Sequence, residues 1–402
     1  MRPFASTISL EEAQRRLAAA VRPITRTERV PLEAAAGRVA AADVASAIDV
    51  PPFARAAMDG YAVIAADTSG ATRNTPVRLK QLDRIFTGQI SAATVVHGTC
   101  TEIATGAPLP DGADAVVMVE ETAKSGDVGI EIFAAATPGQ NIGKRGADIA
   151  AGDRVIATGD VLSPGRVGGL AAIGFSDVDV FAKPRVAILS TGNEVVEPGE
   201  PLPPGHIFDV NRFTLGAIVG DHGGAPERHR AAQDTVEALV AALDACAHAD
   251  LIVFSGGSSV GDRDLVVDAV AARGEMIFHG IAVRPGKPTA FALLNGTPFF
   301  GMPGNPTSCL SNAYILLVPF LRAIARLPPH TPRTVQLPLG RRIASAVNRH
   351  QFYTVRLSDG AAHPAFKGSG DITSLSNADG YIEIPADQSV VEQGTKVTVT
   401  LF

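Results

Sequence analysis

The N-terminal region begins with an amphipathic pattern. Ser9 is followed three residues later by Glu12, and apolar residues then recur at helical spacing through AQRRLAAAV. A serine that accepts from first-turn amides, together with a glutamate three positions on, forms a capping box. The sequence therefore predicts a helix that starts after Ser9 and a second helix over residues 31–42. Between about residues 76 and 156, short β-branched runs broken by glycine predict a β-rich region.

The middle of the chain has a different pattern, with short apolar runs that do not alternate with polar residues. They cover residues 185–190, 249–255, 275–283 and 298–302. Runs of this kind are typical of parallel strands covered on both faces. Helical patterns lie between them, over residues 211–221, 234–247 and 264–273. This alternation predicts a doubly wound α/β domain whose ligand lies at the carboxyl ends of the strands.

The last part of the chain is again β-rich. A long helix is predicted over residues 306–326, and the proline-rich segment 327–332 ends it. The runs TVQLPL, FYTVRL, GYIEI and TKVTVTLF that follow are β-branched or alternate with period two. We expect residues 333–402 to form a small β-barrel or sandwich.

Composition narrows the ligands that this fold could hold. The chain has 35 Lys and Arg against 41 Asp and Glu, a net charge of −6. This charge disfavours sequence-independent binding of nucleic acid through a basic surface. Its 40 glycines and 28 prolines indicate loops whose main chain contacts ligands. Three widely spaced cysteines argue against a disulfide framework or zinc site, and no apolar run approaches the ~20 residues of a membrane span. We therefore expect a cytoplasmic protein.

Each predicted strand of the α/β domain runs into a polar loop. The loops are STGNE, SGGSSVGDRD, RPGKP and MPGNPTS. Unobstructed glycine amides, hydroxyls and a helix N-terminus favour negative charge. One such loop could equally be an ordinary turn, but four at consecutive strand ends indicate a phosphorylated or otherwise anionic ligand. The candidate binding residues are Gly256, Gly257, Ser258, Ser259, Arg284, Lys287, Pro303, Gly304 and Asn305.

Acidic residues occur in the same loops, notably Glu194, Asp262 and Asp264. A carboxylate ~4 Å from a phosphate charge costs about 4 kcal/mol at an effective dielectric near 20, so a cation is needed between them. Mg²⁺ prefers one or two carboxylates with phosphate oxygens. The alternative is that these acids are solvated turn or cap residues, and for Asp234, with Glu237 three positions on, we favour a helix cap.

Further polar loops lie in the N-terminal half. Two prolines stiffen the segment PPFARAAMDGYA, where Asp59 and Gly60 form a turn that presents one carboxylate. A lone Asp-Gly pair is most often only a turn, and the loops that hold Thr105 and Asp148 prove little alone. The scattered histidines do not form a pattern for zinc or iron.

Seven segments taken in chain order resemble the MoeA family, the molybdopterin molybdenumtransferases that include the gephyrin E domain. They are PPFARAAMDGYAV, ATGAPLPDGADAVVMVEET, GKRGADIAAGD, ILSTGNEVVEPGEPLPPG, FSGGSSVGDRD, VRPGKP and GMPGNPTSC. The resemblance covers nearly the whole chain. It implies a four-part α/β protein: a linking domain of residues 1–27 and 150–182, an inserted β-rich domain of 28–149, a MogA-like α/β molybdopterin-binding domain of 183–326, and a C-terminal β-barrel of 333–402.

The resemblance also implies an activity. Members of the family insert molybdate into adenylylated molybdopterin (molybdopterin-AMP) with release of AMP, in a Mg²⁺-dependent reaction, and work as homodimers with shared active sites. A separate molybdopterin adenylyltransferase would donate the substrate, molybdoenzymes could accept the product, and neither nucleic acid nor membrane is involved. Two alternatives stay open: a non-catalytic molybdopterin-binding or scaffold module, and an enzyme that inserts tungstate.

The family's functional residues carry over onto matching positions of this chain. Lys287 and the glycine amides would hold phosphate, while three acids would position Mg²⁺ or the attacking oxyanion. Three positions depart from the family pattern: Ala56 replaces a serine, Arg284 a lysine and Ser258 a valine. The residues implied are the acids Asp59, Asp148, Glu194 and Asp264, of which Asp59, Glu194 and Asp264 are candidate metal ligands, with Thr105, Arg284, Lys287, Ser369 and Ser374 for binding.

Overall fold

The computed structural model describes residues 7–230, 235–256, 267, 270, 273–346 and 348–402. The chain forms two compact units: Arg29–Val180, here called the N-terminal unit, and Met1–Glu28 with Phe181–Phe402, here called the C-terminal unit. The two segments of the predicted linking domain, 1–27 and 150–182, therefore fall largely in different units. The four-part boundaries are finer than this division and stay a prediction.

The first helix, α1 (Leu10–Ala20), belongs to the C-terminal unit and begins as predicted. The Glu12 amide donates to Ser9 Oγ at 3.1 Å. Ala13 and Leu17 lie on its apolar face and pack into the core of the α/β domain.

The N-terminal unit is β-rich, as predicted. Its main sheet has the order β7-β4-β6-β5-β9-β8, with β5 and β6 parallel and the other pairs antiparallel. Its strands and helix are β1 (Thr27–Pro31), β2 (Val44–Ala45), β3 (Arg55–Ala56), β4 (Gly60–Val63), β5 (Val77–Ile85), β6 (Thr99–Ile103), β7 (Ala115–Met118), β8 (Thr122–Ser125), β9 (Gly129–Ile132), β10 (Ile142–Gly143), β11 (Arg154–Ile156), α2 (Pro164–Ala172) and β12 (Asp177–Phe181).

The second predicted helix, over residues 31–42, is wrong. Only a 3₁₀ turn, Leu32–Ala34, forms there. Gly37 adopts a left-handed conformation with φ of +77°, which ends any helical run after a few residues. Val39 and Ala40 then make β-bridges to Val161 and Val180.

The α/β domain of the C-terminal unit contains a mixed sheet rather than the expected parallel one. The order is β16-β13-β17-β21-β20-β18, in which β20 is antiparallel to both neighbours. Its elements are β13 (Arg185–Ser190), β14 (Val195–Val196), β15 (Ile207–Phe208), α3 (Asn211–Asp221), β16 (Ala225–Arg228), α4 (Val236–Ala245), β17 (Leu251–Ser255), β18 (Gly274–His279), β19 (Val283–Arg284), β20 (Ala290–Leu294), β21 (Thr297–Met302), α5 (Pro306–Asn312) and α6 (Val318–Ile324).

The sheet is covered on both faces, which explains the unbroken apolar runs. Along β13, Val186 and Ile188 pack into one core cluster, and Ala187 and Leu189 pack into the other. Successive side chains of a strand point to opposite faces, so a strand covered on both sides needs an apolar residue at every position.

Most predicted elements of this domain are confirmed, with a few corrections. The strand expected over 275–283 ends at His279, because Gly280 turns the chain with φ of +97°. Strands β16 and β20 were not predicted. Thr235 caps α4 by accepting from the Ala238 amide, whereas Asp234 and most of the helix expected over 264–273 lie outside the described residues.

The long apolar helix runs over Pro306–Ile324 and includes a π-helical turn, Ala313–Leu317. Its length and composition would allow it to cross a membrane, but 72% of its most apolar window is buried inside the protein. Burial of this extent is that of a core helix packed within a globular domain.

The C-terminal strands curve toward a barrel, as expected. The sheet order is β19-β24-β26-β28-β22, and β25 pairs with β24 on the edge opposite β26. A bridge between Leu339 and Ala362 connects β25 to the residue that follows β22. The elements are β22 (Thr334–Pro338), β23 (Ile343–Ala344), β24 (His350–Ser358), β25 (Ala361–Pro364), α7 (Thr373–Ser376), β26 (Gly380–Ile384), β27 (Val390–Val391) and β28 (Lys396–Leu401).

A half-buried ion pair joins the N-terminal segment to the α/β sheet. Arg26 Nη1 and Nη2 donate to the two carboxylate oxygens of Asp250, at 2.6 and 2.9 Å. The Arg185 amide donates to the same carboxylate at 2.7 Å. Burial opposes ionisation of Asp250, but these hydrogen bonds outweigh it and lower the pKa of the carboxyl.

We expect Asp250→Asn to lower the free energy of unfolding by about 1 to 2 kcal/mol at pH 7. Because the pKa of Asp250 is lower in the folded state, the native carboxylate stabilises the protein above its unfolded pKa of about 4 and loses this effect as pH falls further. Urea unfolding of both proteins at pH 7, 5 and 3 measures this. A difference that stays constant down to pH 3 contradicts the assignment.

Candidate functional site

Four loops meet at one edge of the α/β sheet. Ser190 pairs with Ser255, which pairs with Met302, so β13, β17 and β21 end side by side. His279 at the end of β18 pairs with Ala290. Because β18 runs in the same direction as β21, the basic loop that follows it lies at this same edge. The strand ends from which the four predicted loops start therefore lie at one edge, although β20 separates β18 from β21 and most of the loop after β17 lies outside the described residues.

The loop after β13 carries Glu194. The Thr191 amide donates to Ser255 O at 3.1 Å, and the Ile207 amide donates to Glu194 O at 2.8 Å. Gly192 has φ of +145°, and a Cβ there would lie 2.8 Å from Glu194 Oε2. The glycine thus allows the exposed Glu194 carboxylate to fold back over its own loop.

The loop after β17 begins with Gly256, which approaches both neighbouring loops. A Cβ on Gly256 would lie 2.5 Å from Thr191 O, and φ is +108°. A Cβ on Gly304 would lie 3.5 Å from Gly256 Cα. Gly256 thus allows the close approach to the Thr191 loop, whereas the distance at Gly304 is an ordinary van der Waals contact. Of the other predicted residues of this loop, Gly257, Ser258, Ser259 and Asp264 lie outside the described residues.

The loop after β21 opens α5 and receives a segment of the C-terminal barrel. Asn305 occupies the N-cap position but makes no capping bond; its Nδ2 donates to Ser369 Oγ at 3.2 Å. The Thr307 amide and hydroxyl donate to Ser369 O at 3.0 Å and Asp371 O at 2.8 Å. Of the neighbouring predicted residues, Gly304 is exposed and Pro303 is buried. The structure thus brings Ser369 to the MPGNPTS loop.

Ser374, the second predicted serine of the barrel, has a different position. It is fully buried, and its Oγ accepts from the Lys367 amide at 2.9 Å and donates to Gly368 O at 3.3 Å. Ser374 therefore shapes the loop that carries Ser369 instead of lining a crevice directly.

The basic loop is anchored on the barrel sheet. Val283 and Arg284 form β19, which pairs in parallel with His350 and Gln351 of β24. Arg284 is exposed and Lys287 is half-buried. The Ile281 amide donates to Lys287 O at 2.9 Å, which closes the loop at its base. Two cations therefore stand on a loop held by both the α/β domain and the barrel.

Asp59 and Thr105 come together in the N-terminal unit. Asp59 Oδ1 accepts from the Thr105 amide at 2.6 Å and from Thr105 Oγ1 at 2.9 Å. The amide bond first and the hydroxyl second lower the pKa of Asp59, so the exposed carboxyl is ionised at neutral pH. Gly60 is required here, since a Cβ would lie 1.9 Å from Val117 O.

Asp148 is exposed on a separate loop of the same unit, where its amide donates to Val50 O at 3.0 Å. The carboxylate with specific partners in this region is Asp49, which sequence reasoning missed. It accepts from Arg145 Nε at 2.6 Å and the Ala151 amide at 2.9 Å. Asp49 therefore fixes the loop that presents Asp148.

A buried charge network beneath the Glu194 loop was also missed. Asp209 and Arg212 are only 5% and 4% exposed. Ser190 Oγ donates to Asp209 Oδ2 at 2.5 Å, the Arg212 amide donates to Asp209 Oδ1 at 3.1 Å, and the Arg212 guanidinium also pairs with Glu197. Next to it, Asn211 Nδ2 donates to Gly304 O at 2.7 Å. The sequence offered one signal for this network: Asp209 lies two residues before the predicted helix over 211–221, close to the position of a helix cap.

Within the described ranges, no group of three or more His, Cys, Asp or Glu side chains is placed to hold a metal ion. Mg²⁺ needs only one or two carboxylates when substrate phosphates supply other oxygens. The exposed Glu194 carboxylate at the loop edge meets that smaller requirement.

Family models match most of the chain. The MoeA N-terminal region (domain I and II) matches residues 8–174, a probable molybdopterin binding domain matches 187–323, and the MoeA C-terminal region (domain IV) matches 336–402.

Curated relatives and solved structures agree over the full length. Molybdopterin molybdenumtransferase 2 of Mycobacterium tuberculosis is 39% identical over 410 residues, 97% of this chain and 98% of the relative. Molybdopterin molybdenumtransferase of Haemophilus influenzae is 31% identical over 409 residues, 98% of each chain. A crystal structure of the molybdopterin biosynthesis MoeA protein from Pyrococcus horikoshii superposes with a TM-score of 0.86 at 39% identity and covers 98% of this chain and 99% of that one. By whole-length identity and fold, this chain belongs to the MoeA family.

Proposed function

We propose that the protein is a molybdopterin molybdenumtransferase that inserts molybdate into adenylylated molybdopterin and releases AMP. The observation that carries the proposal is that four strands end at one sheet edge, where Gly256 and Gly304 and the cations Arg284 and Lys287 lie in the described parts of the loops that follow. The names of the relatives support the same reaction class.

The residues of the site suit a reaction between anions. Molybdate and two phosphate groups must be held close together, and their mutual repulsion must be removed. Backbone amides of the glycine loops would bind phosphate oxygens, and Lys287 would supply a positive charge. Ser369 and Asn305 would add polar contacts at the rim of the same loops.

Magnesium would be held by Glu194 together with substrate phosphate oxygens, and Asp264 is a second candidate ligand from the sequence resemblance. When bound, the ion would neutralise charge that develops on the phosphates as the bond between them breaks. Asp59, kept ionised by Thr105, would orient the attacking oxygen or take its proton.

The assembly is part of the proposal. We expect a homodimer in which the N-terminal unit of one protomer supplies Asp59 and Thr105 to the site of its partner. We also expect a cytoplasmic location, a separate molybdopterin adenylyltransferase as the substrate donor and molybdoenzymes as acceptors.

The decisive experiment mixes the purified protein with molybdopterin-AMP, molybdate and Mg²⁺ and follows AMP release and cofactor formation. We expect turnover with the wild type, and Glu194→Gln should need several times more Mg²⁺ for half-maximal rate. Binding of molybdopterin-AMP without AMP release would favour the scaffold alternative instead. Replacing molybdate with tungstate in the same assay distinguishes the two oxyanions.

A further inference from the structure

The carbonyl of Gly286, in the basic loop, is the acceptor of three hydrogen bonds. Asn312 Nδ2 donates to it at 2.8 Å, Thr289 Oγ1 at 2.9 Å and the Thr289 amide at 3.3 Å. A carbonyl oxygen has two lone pairs, so this one is fully occupied. The Gly286 carbonyl is therefore held toward the protein interior.

The two side chains that hold this carbonyl come from different elements and are both fully buried. Asn312 is the last residue of α5, Thr289 ends the basic loop, and Asn312 Nδ2 also donates to Thr289 Oγ1. Gly286 has φ of +99°, and a Cβ there would lie 2.1 Å from Asn312 Nδ2. Only glycine permits so close an approach of the amide group.

The direction of this carbonyl decides what the loop presents to an anion. In a planar trans peptide the N–H points opposite to the preceding C=O, so fixing the Gly286 carbonyl inward directs the Lys287 N–H outward. A carbonyl turned the other way would place a partial negative charge toward the ligand and repel it. The hydrogen bonds to the Gly286 carbonyl thus keep this partial negative charge turned away from an anionic ligand.

The Asn312 side chain has a feature that packing alone does not explain. Its Oδ1 is buried without a hydrogen-bond partner in the described part of the chain. A buried acceptor without a partner destabilises the fold, and an apolar side chain would avoid that penalty. The contribution of the asparagine at this position is therefore its Nδ2 donor to the Gly286 carbonyl.

We propose that Asn312 and Thr289 are positioning residues for anion binding. They orient the Gly286–Lys287 peptide so that the Lys287 amide and side chain face a phosphate or molybdate oxygen. The inference rests on the proposed function for the identity of the anion, but the loop geometry that it describes is independent of turnover.

The test compares Thr289→Val with a matched variant, Thr68→Val, in the N-terminal unit. Thr68 is also fully buried, and its Oγ1 donates to the carbonyl of Ala65, three residues before it, at 2.7 Å and accepts from the Ala136 amide at 2.8 Å. Both substitutions remove one buried hydroxyl with the same pattern of bonds. A purely structural role predicts the same loss of thermal stability and unchanged ligand binding in both.

The readout is the dissociation constant for AMP and for molybdate, measured calorimetrically on the full chain, beside the melting temperature. We expect Thr289→Val to weaken binding of at least one anion about tenfold, Thr289→Ser to restore it, and Thr68→Val to bind like the wild type. Asn312→Leu, which removes the donor to Gly286 O without adding a charge, should weaken binding at least as much. If one variant fails to fold, the other still decides the question.

The outcomes separate this inference from the proposed function. Dissociation constants of Thr289→Val and Asn312→Leu within about twofold of the control, or a wild type that binds neither anion, overturn the inference. Loss of binding in the variants supports it even if the wild type shows no turnover with molybdopterin-AMP. That last result would overturn only the proposed reaction.

Discussion

Asp59→Asn is expected to reduce molybdenum insertion about 100-fold or more while leaving the fold intact. The asparagine oxygen can still accept from the Thr105 amide and hydroxyl, which now both donate to Asp59 Oδ1. The substitution therefore removes the negative charge and the proton acceptor but not the local hydrogen bonds. Loss of a positioned acid or base typically lowers rate by about 10²- to 10⁴-fold. AMP release at saturating molybdate and Mg²⁺ measures the effect.

The chain contains a close structural match for a control. Asp43 Oδ1 accepts from the Thr158 amide at 2.7 Å and from Thr158 Oγ1 at 2.8 Å, in the same unit and also exposed. Asp43 also pairs with Arg154, at 3.3 Å, so Asp43→Asn should affect folding at least as much as Asp59→Asn and turnover almost not at all. Equal activity of the two variants would remove Asp59 from the catalytic assignment.

The second large effect concerns stability. The Arg212 guanidinium Nε lies 3.4 Å from Asp209 Oδ2. Asp209→Ala should therefore lower the free energy of unfolding by about 3 kcal/mol, because it leaves this buried guanidinium with one partner fewer. Arg212 keeps Glu197 and the His229 carbonyl, which it contacts at 3.0 Å, so we expect the lower end of the range for a broken buried pair. Urea unfolding with linear extrapolation gives the value.

Ser190→Ala is the companion measurement. It removes one hydrogen bond to Asp209 but leaves the charge pair, and we expect a loss of about 1 kcal/mol. If Asp209→Ala costs no more than Ser190→Ala, the charge pair does not contribute to the stability of this edge.

Local pattern was sufficient to predict many elements of this fold. The serine cap at Ser9 and the helix over 211–221 were predicted because both signals lie within one or two turns of chain. The reciprocal half of the predicted capping box does not form, because the Glu12 carboxylate accepts from Arg15 and Arg16 instead. The four loops were predicted at one sheet edge because apolar runs ending in glycine and polar residues mark the ends of buried strands. The wrong helix over 31–42 shows the limit, since Gly37 and the bridges from Val39 and Ala40 outweighed helical spacing.

Contacts between distant parts of the chain could not be predicted from those patterns. Asn312 donates to Gly286, 26 positions earlier, and Asn305 donates to Ser369, 64 positions later. Neither asparagine differs in local sequence from one that caps a turn. Asn305 and Ser369 were predicted as site residues but their pairing was not, and Asn312 was not predicted at all.

The pairing of β19 with β24 limits how this chain can be divided. The predicted α/β domain ends at residue 326, so a truncation that removes the barrel would be made after that residue. Such a truncation would remove the backbone partners of Val283 and Arg284 and the segment that contacts Thr307. A protein engineer who transplants the anion site must therefore move these barrel segments with the α/β domain to keep the basic loop and the start of α5 in place.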